Sequence, residues 1–189
     1  EVIPINSLLP HRLTSFCKSY SARLIHFSTD CVFSGKQGFY KELDLADAED
    51  LYGRSKLLGE TISANSLTIR TSIIGHEIFT SHGLINWFLS QKAPIQGYTK
   101  AIFSGFPTIE IAKIIERYII PNENLSGLYH LSSDPISKFD LLSLVAKRYN
   151  KDIEIQPNDS VVIDRSLDSS LFQKETGFNT RSWNELLNE

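Results

Sequence analysis

An α/β fold built on a doubly wound parallel sheet is predicted by three features of this 189-residue chain. Helix-period and strand-like apolar segments alternate along its first part, separated by turn-rich loops. The first strand segment closes on Ser28-Thr29-Asp30. Small polar side chains at a strand's carboxyl end are what the ligand-binding edge of an open α/β sheet presents. The length fits one domain, or one domain with a small lobe.

Residues 6–20 predict a helix, with Leu8, Leu9, Leu13, Phe16 and Cys17 at helical spacing and Pro10 in the early turns, where its missing N–H is tolerated. Residues 22–28 read as a short apolar strand, and 35–50 as a polar loop. A helix over 51–64 and a strand over 67–73 follow. After Gly75 come a loop over 76–83, a helix over 84–91 and a short strand over 94–98. A helix is predicted from Pro107-Thr108 to about residue 120, with Thr108 as its N-cap and Ile109, Ile111, Ala112, Ile114 and Ile115 apolar. Pro121 breaks it, and 127–131 is a buried-type strand. Ser137 and Asp140 form a capping-box start for a helix to about residue 149. A strand over 152–156 and short helices over 169–176 and 182–187 close the chain. There is no internal repeat and no low-complexity tract.

A net charge of −3, with the basic residues scattered, gives no footprint for nucleic acid. No apolar run is long enough to span a bilayer, and no signal-peptide pattern opens the sequence. The two cysteines, Cys17 and Cys31, match neither a disulfide framework nor a zinc pattern, so reduced thiols in a cytoplasmic protein are expected. Methionine is absent, which leads to the expectation that the natural N-terminus lies upstream.

The chemistry centres on Tyr52 and Lys56, four apart and therefore on one helix face. Free tyrosine titrates near ~10, and a neighbouring ammonium lowers that value toward the working range of a proton donor. A hydroxyl from the strand end, Thr29 or Ser28, would hold the substrate oxygen. No Gly-x-Gly-x-x-Gly, other glycine-rich dinucleotide motif or P-loop is found anywhere.

The series Phe27-Ser28-Thr29-Asp30-Cys31-Val32-Phe33-Ser34-Gly35, Tyr40-Lys41-Glu42-x-Asp44, Leu51-Tyr52-Gly53-Arg54-Ser55-Lys56-Leu57-x-Gly59-Glu60 and Ile69-Arg70-Thr71-Ser72 resembles the dTDP-4-dehydrorhamnose reductase family of the extended short-chain dehydrogenase/reductase superfamily. Gly127-Leu128-Tyr129-His130-Leu131-Ser132 extends the likeness more weakly. The resemblance implies part of an NAD(P)-binding Rossmann-type sheet over 1–75, with the catalytic helix, and mainly a smaller substrate-binding lobe over 76–189, some of whose segments return to the sheet. It implies reduction of the C4 ketone of a deoxy-sugar nucleotide by NADPH or NADH. Carried over, Tyr52 protonates the alkoxide. Lys56 lowers the Tyr52 pKa and holds the nicotinamide ribose. Thr29 binds the substrate oxygen. Ser28, Arg70, Thr71 and Ser72 lie beside the cofactor, and Asp30, Cys31 and Phe103 face the substrate. The implied partner is the sugar nucleotide, with no nucleic acid, membrane or metal, and a homodimer is permitted.

The family opens with a glycine-rich strand–turn–helix that cradles the pyrophosphate, so that site lies mostly outside this chain, and the chain alone is expected to be inactive. Where the family carries aromatic residues after Thr-Asp and after Arg-Thr-Ser, this sequence has Cys31 and Ile73. Sugar-nucleotide dehydratases carry Asp-Glu after the threonine; Asp30-Cys31 argues against dehydration. An epimerase of the same superfamily and a non-catalytic regulatory subunit of this fold are the alternatives. His76, Glu77 and His82 miss the His-Glu-x-x-His pattern and read as loop residues. His130 reads as a hydrogen-bonded core residue. Glu42 and Asp44 read as loop-ordering or solvated acids. For Trp87, Phe88 and Phe106 core packing is the expectation, with stacking on a base or sugar as the alternative.

Overall fold

The computed structural model describes residues 2–78, 80 and 83–188. A wide turn over Pro4–Leu8 leads into helix α1 (Leu9–Ser19), so Pro10 sits at the start of the regular helix, where it breaks no hydrogen bond. The apolar row predicted for this helix lies outward: Leu8, Leu9, Leu13 and Phe16 are exposed, while Ser7 and Pro10 are buried. Strand β1 (Leu24–Phe27) follows and ends in a single turn over Asp30–Val32. The next helix, α2 (Leu51–Leu58), stops six residues short of the prediction. Gly59 caps it, because a side chain there would collide with the Asn6 carbonyl oxygen. The Thr61 N–H is then taken by the Thr68 hydroxyl, which turns the chain back into β2 (Ser66–Arg70).

Strand β2 ends at Arg70 rather than 73, and a separate strand β3 (Ile73–Ile74) continues beyond a bend. Then come α3 (Leu84–Ser90), β4 (Ile95–Tyr98), β5 (Ala101–Phe103) and β6 (Phe106–Pro107). The predicted 107–120 helix is α4 (Thr108–Ile114) followed by a wide turn over Ile115–Ile119. Its cap position is Pro107; Thr108 is already helical and lies where a Gly75 side chain would be. Strand β7 (Gly127–His130) precedes β8 (Ile136–Ser137) and α5 (Lys138–Arg148). Ser137 caps α5 by accepting the Asp140 N–H at 3.0 Å, and its hydroxyl donates to the Asp140 carboxylate at 2.6 Å. Strand β9 (Ile155–Asn158) starts three residues later than predicted. β10 (Ile163–Asp164), α6 (Ser170–Thr176) and α7 (Trp183–Leu186) complete the order.

The main sheet has order β1-β2-β7 and is parallel throughout, with Phe27 beside Ile69 and Arg70 beside His130. Its three carboxyl ends therefore open on one edge, at Ser28, Thr71 and Leu131. Three small sheets form the rest: parallel pairs β3-β6 and β4-β9, and β10-β5-β8, in which β5 and β8 run antiparallel. One apolar core runs from Leu67 and Ile69 through Phe88, Phe106, Ile111, Leu141 and Phe172. A smaller cluster of Val32, Phe33, Tyr40 and Leu167 sits under the loop between β1 and α2. Among the described residues, no helix is long and apolar enough to cross a membrane.

Candidate active site

The site grows from the end of β1. The Ser28 N–H still donates to Ile69 at 2.8 Å, so the chain leaves the sheet only at Thr29. Thr29 is extended and caps the following turn, its hydroxyl accepting the Cys31 N–H at 3.1 Å and donating to the Asp30 carboxylate at 3.2 Å. Helix α2 is pinned by Asp50, whose carboxylate accepts the Gly53 N–H at 2.8 Å. Gly53 lies against the Cys31 carbonyl oxygen and Ala48, where any larger residue would lift the helix away. This contact brings Tyr52, half exposed, to the side of the strand end where Thr29 acts on its phenol. One turn along, the Lys56 ammonium donates to the Phe27 carbonyl at 2.6 Å, at the last residue of β1. The predicted trio of Thr29, Tyr52 and Lys56 thus gathers around one strand end.

Its electrostatics differ from the expectation in one respect. Burial pushes the Tyr52 phenol up from its ordinary value, opposed by the nearby Thr29 hydroxyl and reinforced by the charges of Cys31, Asp30 and Asp50. The Lys56 ammonium is spent on Phe27 and is itself shifted down by burial, against the pull of Glu60. The Tyr52 phenol thus moves up rather than down, and the Lys56 cation faces the strand end. Burial also raises the Asp30 carboxyl, opposed by hydrogen bonds to Cys31 and Thr29, the charge of Arg165 and a hydrogen bond to Ser72. It raises the Cys31 thiol, helped by Asp30.

Arg70 was expected beside a cofactor; its guanidinium instead points inward. Nε and Nη2 donate to the two oxygens of Glu60 at 2.8 and 2.7 Å, and Nη1 meets His130 Nε2 at 3.2 Å. It also lies over the Phe33 ring, 5.1 Å from its centre. The Ser28 hydroxyl joins the same group, donating to Glu60 at 2.6 Å. Ser28 and Arg70 therefore lock the ends of β1 and β2 together, and their polar atoms are committed there. Thr71 is buried and Ser72 is half-buried at the mouth of β2. Phe103, expected at the substrate, is 8% exposed and packs on Trp183 with ring centres 5.8 Å apart. The loop-like Ser104-Gly105 after it conceals a residue whose strand partner is Ile136.

His130 is a core residue as expected, fully buried, with Nδ1 2.9 Å from the Tyr40 carbonyl. Glu42 orders the loop by accepting the His130 N–H at 2.8 Å, and Asp44 accepts the Lys41 N–H at 2.8 Å. Phe88 and Phe106 are buried in the core, whereas Trp87 is exposed. His76 is held between Asn86 and the Tyr149 hydroxyl. His82 lies outside the described residues, and among those described no group of side chains is arranged to hold a metal.

Two residues of the site were missed. Glu60 stands in the quoted series, but its partners are 32 and 10 positions away, so spacing alone does not reveal them. Arg165 lies 134 positions from Cys31, yet its Nη1 donates to the Cys31 sulfur at 3.3 Å and its Nε to the Phe33 carbonyl at 2.9 Å.

Comparison with known proteins gives the family and the fold. The family model described as the RmlD substrate binding domain matches residues 2–189. A dTDP-4-dehydrorhamnose reductase of Aggregatibacter actinomycetemcomitans is 30% identical over 132 residues, 64% of this chain and 45% of that protein. Among solved structures, a hypothetical dTDP-4-dehydrorhamnose reductase from Sulfolobus tokodaii superposes with a TM-score of 0.76 at 30% identity, covering 94% of this chain and 68% of that one. A dTDP-4-dehydrorhamnose reductase from Bacillus anthracis, solved in complex with NADP, gives a TM-score of 0.84 at 19% identity over 98% of this chain and 70% of that one, and shares the fold. The chain spans less than two thirds of the length of the curated relatives it matches.

Proposed function

We propose that this chain, which belongs to the RmlD substrate-binding-domain family, carries the proton-donating centre of an NAD(P)H-dependent reductase acting on the C4 ketone of a deoxy-sugar nucleotide. The observation that supports this reading is the gathering of Thr29, Tyr52 and Lys56 at one strand end, with the helix seated by Gly53 against the Cys31 carbonyl and Lys56 bonded to Phe27. A phenol whose pKa is raised by burial stays protonated near neutral pH. It is an acid able to give its proton to an alkoxide as that charge forms. Thr29, whose hydroxyl donates to Asp30 in the free site, would turn to the same oxygen when substrate binds, fixing the carbonyl against Tyr52 and stabilising the developing charge.

Lys56 suits a nicotinamide ribose. One of its three N–H groups is taken by Phe27, and two remain for a pair of neighbouring hydroxyls. The nicotinamide, when bound, supplies the hydride to C4; Tyr52 supplies the proton to the oxygen. Thr71 and Ser72, at the mouth of β2, would border the ring.

In the full-length protein carrying this chain, Tyr52→Phe is expected to lower kcat/KM for a 4-keto sugar nucleotide by about 10²–10⁴-fold, with NADPH affinity unchanged. Undiminished NADPH oxidation by that variant would remove Tyr52 from the mechanism and with it this reading.

A further inference from the structure

We propose that Arg165 is a specificity-determining residue of this site. Its guanidinium, seated on Cys31, hydrogen-bonds the hydroxyl on the sugar carbon that flanks the ketone. The inference rests on the reductase reading above and extends it to substrate recognition.

Arg165 follows β10 and crosses to the catalytic strand end from the far part of the chain. Nε is anchored on the Phe33 carbonyl at 2.9 Å and Nη1 on the Cys31 sulfur at 3.3 Å. Nη2 has no partner among the described residues, and no carboxylate there forms an ion pair with Arg165. A half-buried guanidinium is costly to hold without a strong acceptor. A neutral thiol is a weak one. Cys31 therefore orients the cation without neutralising it, leaving one planar edge of the fork free.

The anchor ties Arg165 to the catalytic strand end through Cys31. Cys31 donates its N–H to Thr29 at 3.1 Å, and its carbonyl oxygen lies against Gly53, the neighbour of Tyr52. Arg165 also acts electrostatically on Asp30, Cys31 and Asp50, so its charge is felt on the side where the substrate oxygen is held. A ketone at C4 has two neighbours in the sugar ring. C5 carries the ring oxygen, and C3 carries a hydroxyl. Of the two, the C3 hydroxyl is the stronger acceptor for a guanidinium N–H, and Arg165 is assigned to it.

The test uses the full-length protein with two substrates, a 4-keto sugar nucleotide bearing the C3 hydroxyl and its 3-deoxy counterpart. Wild type is expected to prefer the hydroxylated substrate by roughly 10–100-fold in kcat/KM, through KM. In Arg165→Gln that preference is expected to fall to about twofold or less, whatever the change in absolute rate. Arg165→Lys, which keeps the charge, is expected to recover part of the preference, and it carries the test alone if the Gln variant fails to fold. An unchanged ratio in the folded variant overturns the assignment while leaving the reductase reading standing. A wild-type protein that neither binds nor reduces either compound overturns both.

Discussion

Glu60 accepts three donors, one from Ser28 and two from Arg70, with both charged side chains almost sealed from solvent. Losing its charge strands a buried guanidinium between Phe33 and His130. Glu60→Gln is therefore expected to lower unfolding free energy by about 3–5 kcal/mol, read from the urea midpoint. An apolar replacement of both partners, Glu60→Leu with Arg70→Met, should recover much of that loss. A single variant with wild-type stability would show the pair to be dispensable. The residue scale is also where the sequence was hardest to read. Tyr52, Lys56 and Thr29 were legible because a helix repeat and a strand end bring them together through local geometry. Arg70 looked like a cofactor ligand because its position at a strand end says nothing about which way a guanidinium turns. Phe103 looked like a loop residue because Ser104, Gly105 and Pro107 around it are turn formers, although its own strand is only three residues long.

Helix α2 places the proton donor, and its seating depends on Gly53. A methyl group there meets the Cys31 carbonyl oxygen and Ala48, so the helix must move away from the Thr29 turn. Gly53→Ala is expected to cut kcat/KM by about tenfold or more, because a misplacement of about 1 Å is amplified in catalysis. The accompanying stability loss is about 1–3 kcal/mol, as for an overpacked core; an unaltered rate would mean that the helix position is not coupled to Tyr52. At α5, Ser137→Ala removes the cap on Asp140 and should cost about 1 kcal/mol, measured by thermal unfolding. The longer elements β1, β2, β7, α5 and α6 were legible from apolar runs and caps. The two-residue strands β3, β6, β8 and β10 were not, since a two-residue segment has no period to detect. Their pairings come from tertiary placement alone.

Across the whole molecule, acid stability is set by histidines buried without charge. Burial, helped by Arg70, lowers His130 to about 4, and burial with Lys56 lowers His26 to about 4. The unfolded chain takes up these protons near pH ~6.5 while the folded one does not. Their contribution is thus complete above that pH, declines as pH falls, and is gone below about 4. For His130 it amounts to at most roughly 3 kcal/mol. Asp30 and Glu42, both raised by burial, act in the opposite sense at the carboxylate end of the range. His130→Gln is expected to flatten the fall in melting temperature between neutral pH and pH ~4.5; an identical slope would locate the acid sensitivity elsewhere. The sheet order has a further consequence, for the rate of folding. The first pairs of its two ladders, Leu24 with Ser66 and Leu67 with Gly127, lie 42 and 60 positions apart (66 − 24 and 127 − 67). Such distant parallel pairings close slowly. Until they close, the apolar side chains that the finished sheet buries, Leu67 and Ile69 among them, are open to a second chain. Refolding yield should accordingly fall as protein concentration rises, even in a buffer where the finished molecule stays dispersed.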